Sequence, residues 1–151
     1  DVLLGPEMKS TGEVMGRGRS AAEAFYKAQV ASGQAMPQTG CVYLSVAAED
    51  QPAVVDLARR LSRMGYGIAF GSGTAPYLAG KGIAGRELQP IDAIERGEVT
   101  MVVDNVDAPA LRRRALELSL PYFTTVEAAR MAVLGMEARK AGTFSLEALQ
   151  P

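Results

Sequence analysis

The 151-residue chain predicts an α/β fold: a doubly wound, mostly parallel sheet of about five strands with helices on both faces, preceded by a helical linker segment. Three observations predict it. Short, nearly continuous apolar runs recur at residues 41–46, 67–70 and 100–104, as strands buried on both faces require. Stretches of helical periodicity separate them, and strands joined through helices pair in parallel. Glycine or a polar cluster marks each change of period.

Residues 1–18 are glycine-rich and polar, without a sustained period, and read as loop or short strand. Ser20 and Glu23 form a capping-box pattern that starts a helix running to Ala31, with Gly33 as its stop. Residues 35–40 read as a linker, so the compact domain is expected from about Cys41. Cys41-Val42-Tyr43-Leu44-Ser45-Val46 is the first strand. From Asp50 to Met64, Val54, Leu57, Ala58, Leu61 and Met64 share one helical face while Asp56 and Arg60 are spaced to pair on the other. Gly65 closes that helix.

The second strand, 67–70, enters the loop Gly71-Ser72-Gly73-Thr74, and a short helix follows to about Lys81. A third strand is expected near Glu87-Leu88-Gln89, then a helical turn 91–96 stopped by Gly97. Thr100-Met101-Val102-Val103-Asp104 is the next strand. Pro109 opens a helix running to about Ser119. Pro121-Tyr122-Phe123-Thr124 is a strand, and Thr125 starts the last clear helix, through Met136. The tail from Gly142 reads as a strand or turn.

Composition narrows the function. The chain has no histidine, which excludes serine–histidine and cysteine–histidine nucleophile pairs and zinc sites built on imidazole. It also removes the commonest near-neutral acid or base. A single cysteine, Cys41, rules out an internal disulfide, fits a reducing cytoplasmic setting, and reads as an inert buried thiol. A net charge of −1 gives no overall attraction to nucleic acid or acidic membrane. No window reaches membrane-span length. Arg112-Arg113-Arg114 reads as a solvated face or helix-end pairing, and the seven methionines as core filler.

In a parallel sheet with right-handed crossovers, every strand's carboxyl end lies on one edge, and ligands bind outside that edge. The sequence brings Ser45, Gly71, Ser72, Gly73, Thr74, Asp104, Asn105, Asp107, Thr124 and Thr125 to that edge. Unpaired amides at the helix start after Gly73 suit a phosphate or carboxylate, although glycines also simply allow a sharp turn. Two carboxylates among hydroxyls and amides, with no obvious cationic side chain, suit a small polar ligand bearing an amine. Asp104, Asp107 and Thr125 have an alternative use as helix caps.

Leu4-Gly5-Pro6-Glu7-Met8-Lys9-Ser10-Thr11-Gly12-Glu13-Val14-Met15-Gly16, with Ala22-Glu23-Ala24-Phe25 and Lys27-Ala28-Gln29, closely resembles the end of the second ATP-grasp half of the carbamoyl phosphate synthetase large subunit. From about Cys41 the chain is similar to that family's allosteric domain, of methylglyoxal-synthase-like fold. The resemblance implies the tail of an upstream ATP-grasp domain at 1–19, a helix and linker at 20–40, and the allosteric domain at 41–151. It implies a non-catalytic regulatory segment that receives ornithine, UMP or IMP, without a cofactor or metal of its own. The parent enzyme would be a cytoplasmic ligase of arginine and pyrimidine biosynthesis. It would make carbamoyl phosphate from bicarbonate, glutamine-derived ammonia and ATP, with Mg or Mn. Its partners would be the upstream ATP-grasp halves, a glutaminase small subunit and a possible second copy, with no nucleic acid or membrane.

Residue by residue, Gly73 and Thr74 match the end of the family's phosphate loop, while Gly71 and Ser72 stand where threonine and histidine occur. Gln51 stands in place of one lysine, the segment of a second is shortened into Gln89-Pro90-Ile91, and Asp104 replaces an asparagine. Asp107 and Thr124 fall on positions that touch ornithine. A weakened UMP/IMP pocket beside an intact ornithine half is therefore expected. The alternatives are an oligomerisation or interface domain without effector, and a methylglyoxal-synthase-type lyase, which in that family uses histidine.

Overall fold

The computed structural model describes residues 14–33 and 36–142. Expectations for residues 1–13, for part of the linker and for the tail beyond Gly142 fall outside the described residues. The elements in order are α1 (Val14–Ala31), β1 (Cys41–Ser45), a 3-10 turn (Ala48–Asp50), α2 (Gln51–Arg63), β2 (Gly67–Phe70), α3 (Ala75–Gly80), β3 (Arg86–Glu87), α4 (Pro90–Glu95), β4 (Val99–Asp104), α5 (Pro109–Glu117), β5 (Tyr122–Phe123) and α6 (Val126–Ala141). They group into two compact units, Pro37–Ala129 and a second made of the chain up to Met36 with the chain from Arg130.

The first unit is a five-stranded sheet in the order β3-β2-β1-β4-β5, with every pairing parallel. The order runs outward from β1 in both directions. Right-handed crossovers therefore place α2 and α5 on opposite faces. Val42, Leu44, Ile68, Phe70, Met101 and Val103 are buried and in register on one face. On the other, Tyr43, Ala69 and Val102 pack with Ala93 and Ile94 of α4 and Leu111 and Ala115 of α5. β1 and β4 slip by one residue between Cys41 and Val42. Both edge strands are two residues long, and β3 is exposed at both positions.

Local chemistry explains the element ends. Proline stands in the first two positions of α2, α3, α4 and α5, where a missing N–H costs nothing. After α2, Gly65 takes φ +99° and Tyr66 N–H bonds back to Leu61 O at 3.0 Å, the left-handed helix stop that glycine permits. After α5 the same stop falls on Ser119, φ +55°, with Leu120 N–H on Ala115 O at 2.8 Å. Thr125 Oγ1 accepts from Ala128 N–H at 3.1 Å, capping α6 as its sequence suggests. Asp56 and Arg60 pair at 2.8 Å. Arg114 reaches Glu95 at 2.8 Å and Glu117 at 3.0 Å.

In the second unit, α1 buries Ala22, Phe25 and Tyr26, and the α6 residues from Arg130 bury Met131, Ala132, Val133, Met136 and Ala138. A Cβ on Gly135 would lie 2.6 Å from the Tyr26 Cβ, so only glycine admits this approach.

Several boundaries differ from the sequence reading. α1 begins at Val14, so residues 14–18 are helical and Ser20 is not an N-cap. Gly16 and Gly18 cost about 1 kcal/mol each against alanine, too little to stop a helix already nucleated downstream. α6 continues five residues past Met136 through Glu137, Ala138, Arg139 and Lys140, all good helix formers. β3 sits at Arg86–Glu87 rather than 87–89. Cys41 is half-buried rather than fully buried. Among the described residues no helix is long and apolar enough to cross a membrane, and no cluster of potential metal ligands occurs.

Candidate functional site

Strand order reverses at β1, and in open α/β sheets the crevice outside such a reversal is the usual ligand position. Here it lies between the carboxyl ends of β1 and β4, where Ser45 and Asp104 are register partners and Asn105 N–H bonds to Ser45 O at 3.1 Å.

Three loops leave this edge, and side chains tie them together. Thr74, 1% exposed, accepts from Val46 N–H at 3.1 Å and so links the loop after β2 to the loop after β1. Asn105 Oδ1 accepts from Ala47 N–H at 2.7 Å and its Nδ2 donates to Asp50 Oδ2 at 2.7 Å, joining the loop after β4. Gln51 Nε2 donates to Gly73 O at 3.1 Å. The glycine loop also closes on itself: Thr74 N–H and Ala75 N–H both reach Gly71 O at 3.0 Å. Those two amides, which an anion would need at this helix start, are engaged inside the loop.

A Cβ at Gly71 would lie 2.8 Å from both Ser45 Oγ and Tyr43 Oη. The absent side chain is what lets these hydroxyls converge beneath the loop. Burial pushes the Tyr43 hydroxyl pKa up, with its bond to Ser45 working against that shift.

Asp104 is the unusual residue. Its carboxylate is 2% exposed, accepts from Val106 N–H at 3.1 Å through Oδ1 and from Tyr122 O–H at 2.5 Å through Oδ2. No ion pair among the described residues involves it. Burial first, and then the bond to Asp104, push the Tyr122 pKa well above its ordinary range. A cleft of about 230 Å³ opens beside Asp104, lined also by Tyr43, Ser45, Pro90 and Ile91 at the start of α4, and residues 108–111 around the start of α5. Apart from Ser45 and Asp104 its walls are apolar or aromatic.

The remaining expected residues lie further out. Ser72 and Gly73 are exposed at the loop tip. Asp107 takes the left-handed φ of +65°, with its side chain 75% exposed and 3.7 Å from Arg112. Thr124 and Thr125 are exposed at the end of β5, and Thr125 is committed to its cap. Neither Asp104 nor Asp107 caps α5, whose N-cap position is Ala108. The structure thus brings Ser45, Gly71, Thr74, Asp104 and Asn105 together around the β1–β4 crevice and leaves Ser72, Gly73, Asp107, Thr124 and Thr125 on its exposed margin. Arg112, outside the expected set, stands beside Asp107 on that margin. Tyr43 and Tyr122 were also missed, although each lies two residues before an expected site residue, on the same strand face.

No protein-family model matches the chain. Individual relatives do. The carbamoyl phosphate synthase large chain of Myxococcus xanthus is 46% identical over 165 aligned residues, covering 99% of this chain and 15% of the relative. That of Haemophilus ducreyi is 40% identical over 166, covering 99% and 15%. A protein of Methanopyrus kandleri named as the C-terminal section of a carbamoyl phosphate synthase large chain is 37% identical over 153, covering 91% and 28%. The chain spans about 15% of the length of the full-size relatives. With this fold, and at such identity over nearly all its residues, the chain belongs to the carbamoyl phosphate synthase large-chain family, as a segment matching their C-terminal region.

Proposed function

We propose that this chain is an effector-binding, non-catalytic segment of a carbamoyl phosphate synthase large chain, and that the cleft beside Asp104 takes an amino acid with a cationic side chain, ornithine foremost, in preference to UMP or IMP. The whole protein would then be the glutamine-using ligase that makes carbamoyl phosphate. The observation that carries the reading is Asp104: a buried carboxylate with no ion pair among the described residues, facing a cleft. A carboxylate removed from water is costly unless a cation and hydrogen bonds compensate it, and a ligand ammonium supplies the missing part. The apolar walls suit an aliphatic stem leading to that ammonium.

Size and charge argue against a nucleotide. The cleft, at about 230 Å³, falls below the roughly 300–1,000 Å³ of pockets that enclose larger ligands. A phosphate would meet Asp104 rather than a cation, and Gln51 holds Gly73 O with a neutral amide. Titration calorimetry of ornithine and UMP on the full-length protein tests the reading. Ornithine is expected to bind and Asp104→Asn to weaken it at least about tenfold, the loss of one charge-assisted contact. Tighter binding of UMP than of ornithine overturns it.

A further inference from the structure

We propose that Tyr43 and Ser45 complete the receptor for the ligand's charged end: with Asp104, their hydroxyls form a three-oxygen seat that selects a primary ammonium over a methylated one. The inference rests on the cationic-ligand reading above and deepens it. All three residues line the cleft, and the other lining side chains, those of Pro90, Ile91 and residues 108–111, are apolar. Asp104 supplies the charge. Val106 N–H and the Tyr122 hydroxyl take one direction on each of its oxygens, which leaves each oxygen an open acceptor direction.

The two hydroxyls are brought to that carboxylate by the sheet. Ser45 is the register partner of Asp104, and Tyr43 stands two residues earlier on the same face of β1. A Cβ at Gly71 would lie 2.8 Å from both Ser45 Oγ and Tyr43 Oη, so the pair meets in space that only this glycine leaves. The Tyr43 ring packs with Val102 and Leu111, which fixes where its hydroxyl sits, and that hydroxyl is bonded to Ser45. With Tyr43 donating to Ser45, each oxygen still has a lone pair for a donor in the cleft. A primary ammonium carries three donors on a compact charge. Between apolar walls each donor without a partner costs free energy, and three side-chain oxygens supply one partner apiece. Methylation keeps the charge and removes the donors, so it retains the attraction to Asp104 and forfeits the hydroxyls.

The test is calorimetric titration of the full-length protein, unmodified and as Tyr43→Phe, with ornithine and with ornithine trimethylated on its side-chain nitrogen, the weaker compound read by competition with the stronger. The unmodified protein is expected to bind ornithine at least about tenfold tighter than the trimethylated form, the value of one hydrogen bond to a charged group. Tyr43→Phe keeps the ring and removes one acceptor, so that advantage should shrink about tenfold. A merely structural role for Tyr43 would weaken both compounds alike and leave the advantage as it was. Equal affinities in the unmodified protein, or an undiminished advantage in the variant, overturn the three-oxygen seat and leave the cationic cleft standing. If neither compound binds the unmodified protein, the cleft reading fails and this inference with it. Should Tyr43→Phe not fold, Gly71→Ala is read in the same way: it retains all three oxygens but crowds the two hydroxyls, and an undiminished advantage there overturns the proposal.

Discussion

Thr74→Val removes the hydroxyl that holds the rim of the site together, which accepts from Val46 N–H at 3.1 Å and donates to Val46 O at 3.5 Å. The Thr74 hydroxyl is 1% exposed, and its partner, the N–H of Val46, belongs to a residue that is 3% exposed. No water can replace Oγ1 once it is removed. Valine has nearly the same shape, so no cavity forms, and Thr74 makes no side-chain cap to α3, so no capping energy is lost. What remains is an orphaned buried donor, worth about 1–3 kcal/mol, against about 0.8 kcal/mol gained by burying a methyl in place of the hydroxyl. The net expectation is destabilisation by roughly 0.2–2 kcal/mol. Urea unfolding followed by circular dichroism should show a lower midpoint at unchanged slope. For a unit of this size the melting temperature should fall by roughly 4–8 °C per kcal/mol. A variant as stable as the parent, or more so, would refute the reasoning, because the orphaned donor must cost more than the buried methyl returns.

Other perturbations follow from the same geometry. Gly135→Val forces side-chain atoms into Tyr26, and overpacking of about 1–3 kcal/mol exceeds the few tenths gained in helix propensity; thermal melts should show the loss, and an unchanged melt would mean the two helices separate freely there. Tyr26, Tyr43 and Tyr122 all have pKa values raised above the ordinary 10.0, in each case chiefly by burial. The unfolded chain therefore releases these protons first. Their contribution is intact below about pH 10 and is lost as pH rises through the folded values. Unfolding midpoints measured upward from about pH 8 should stay level and then fall, and Tyr122→Phe should flatten part of that fall.

Much of this architecture was legible in the sequence because burial on both faces leaves a plain signature. β2 coincides with its expected span, and β1, β4 and the helices between them lie within a few residues, since apolar runs and period changes report directly on which side chains face the core. Elements set by neighbours were harder to place. β3 and β5 are short edge pieces whose pairing depends on β2 and β4 more than on their own residues. The start of α1 was hidden by two glycines that a longer helix tolerates.

At the site, topology predicted the meeting of Ser45, Thr74, Asp104 and Asn105, because strand ends in such a sheet must gather. It could not show what each side chain does there. Thr74 and Asn105, which look like ligand contacts in a string of letters, bridge loops instead. Tyr122 looks like core and holds a carboxylate. Hydrogen-bond partners 18 to 58 residues apart leave no trace in local composition.

The sheet's two flanks have a consequence for how this chain behaves beside others of its kind. Each outer strand is a two-residue stub, and on β3 both residues are charged and exposed. A neighbouring polypeptide seeking to extend the sheet finds too few open amides and carbonyls to register against, and on one side it meets an arginine and a glutamate. Short, charged borders are how folded proteins resist unwanted strand addition. A chain folding in the company of other unfinished polypeptides gains from borders that offer nothing to pair with.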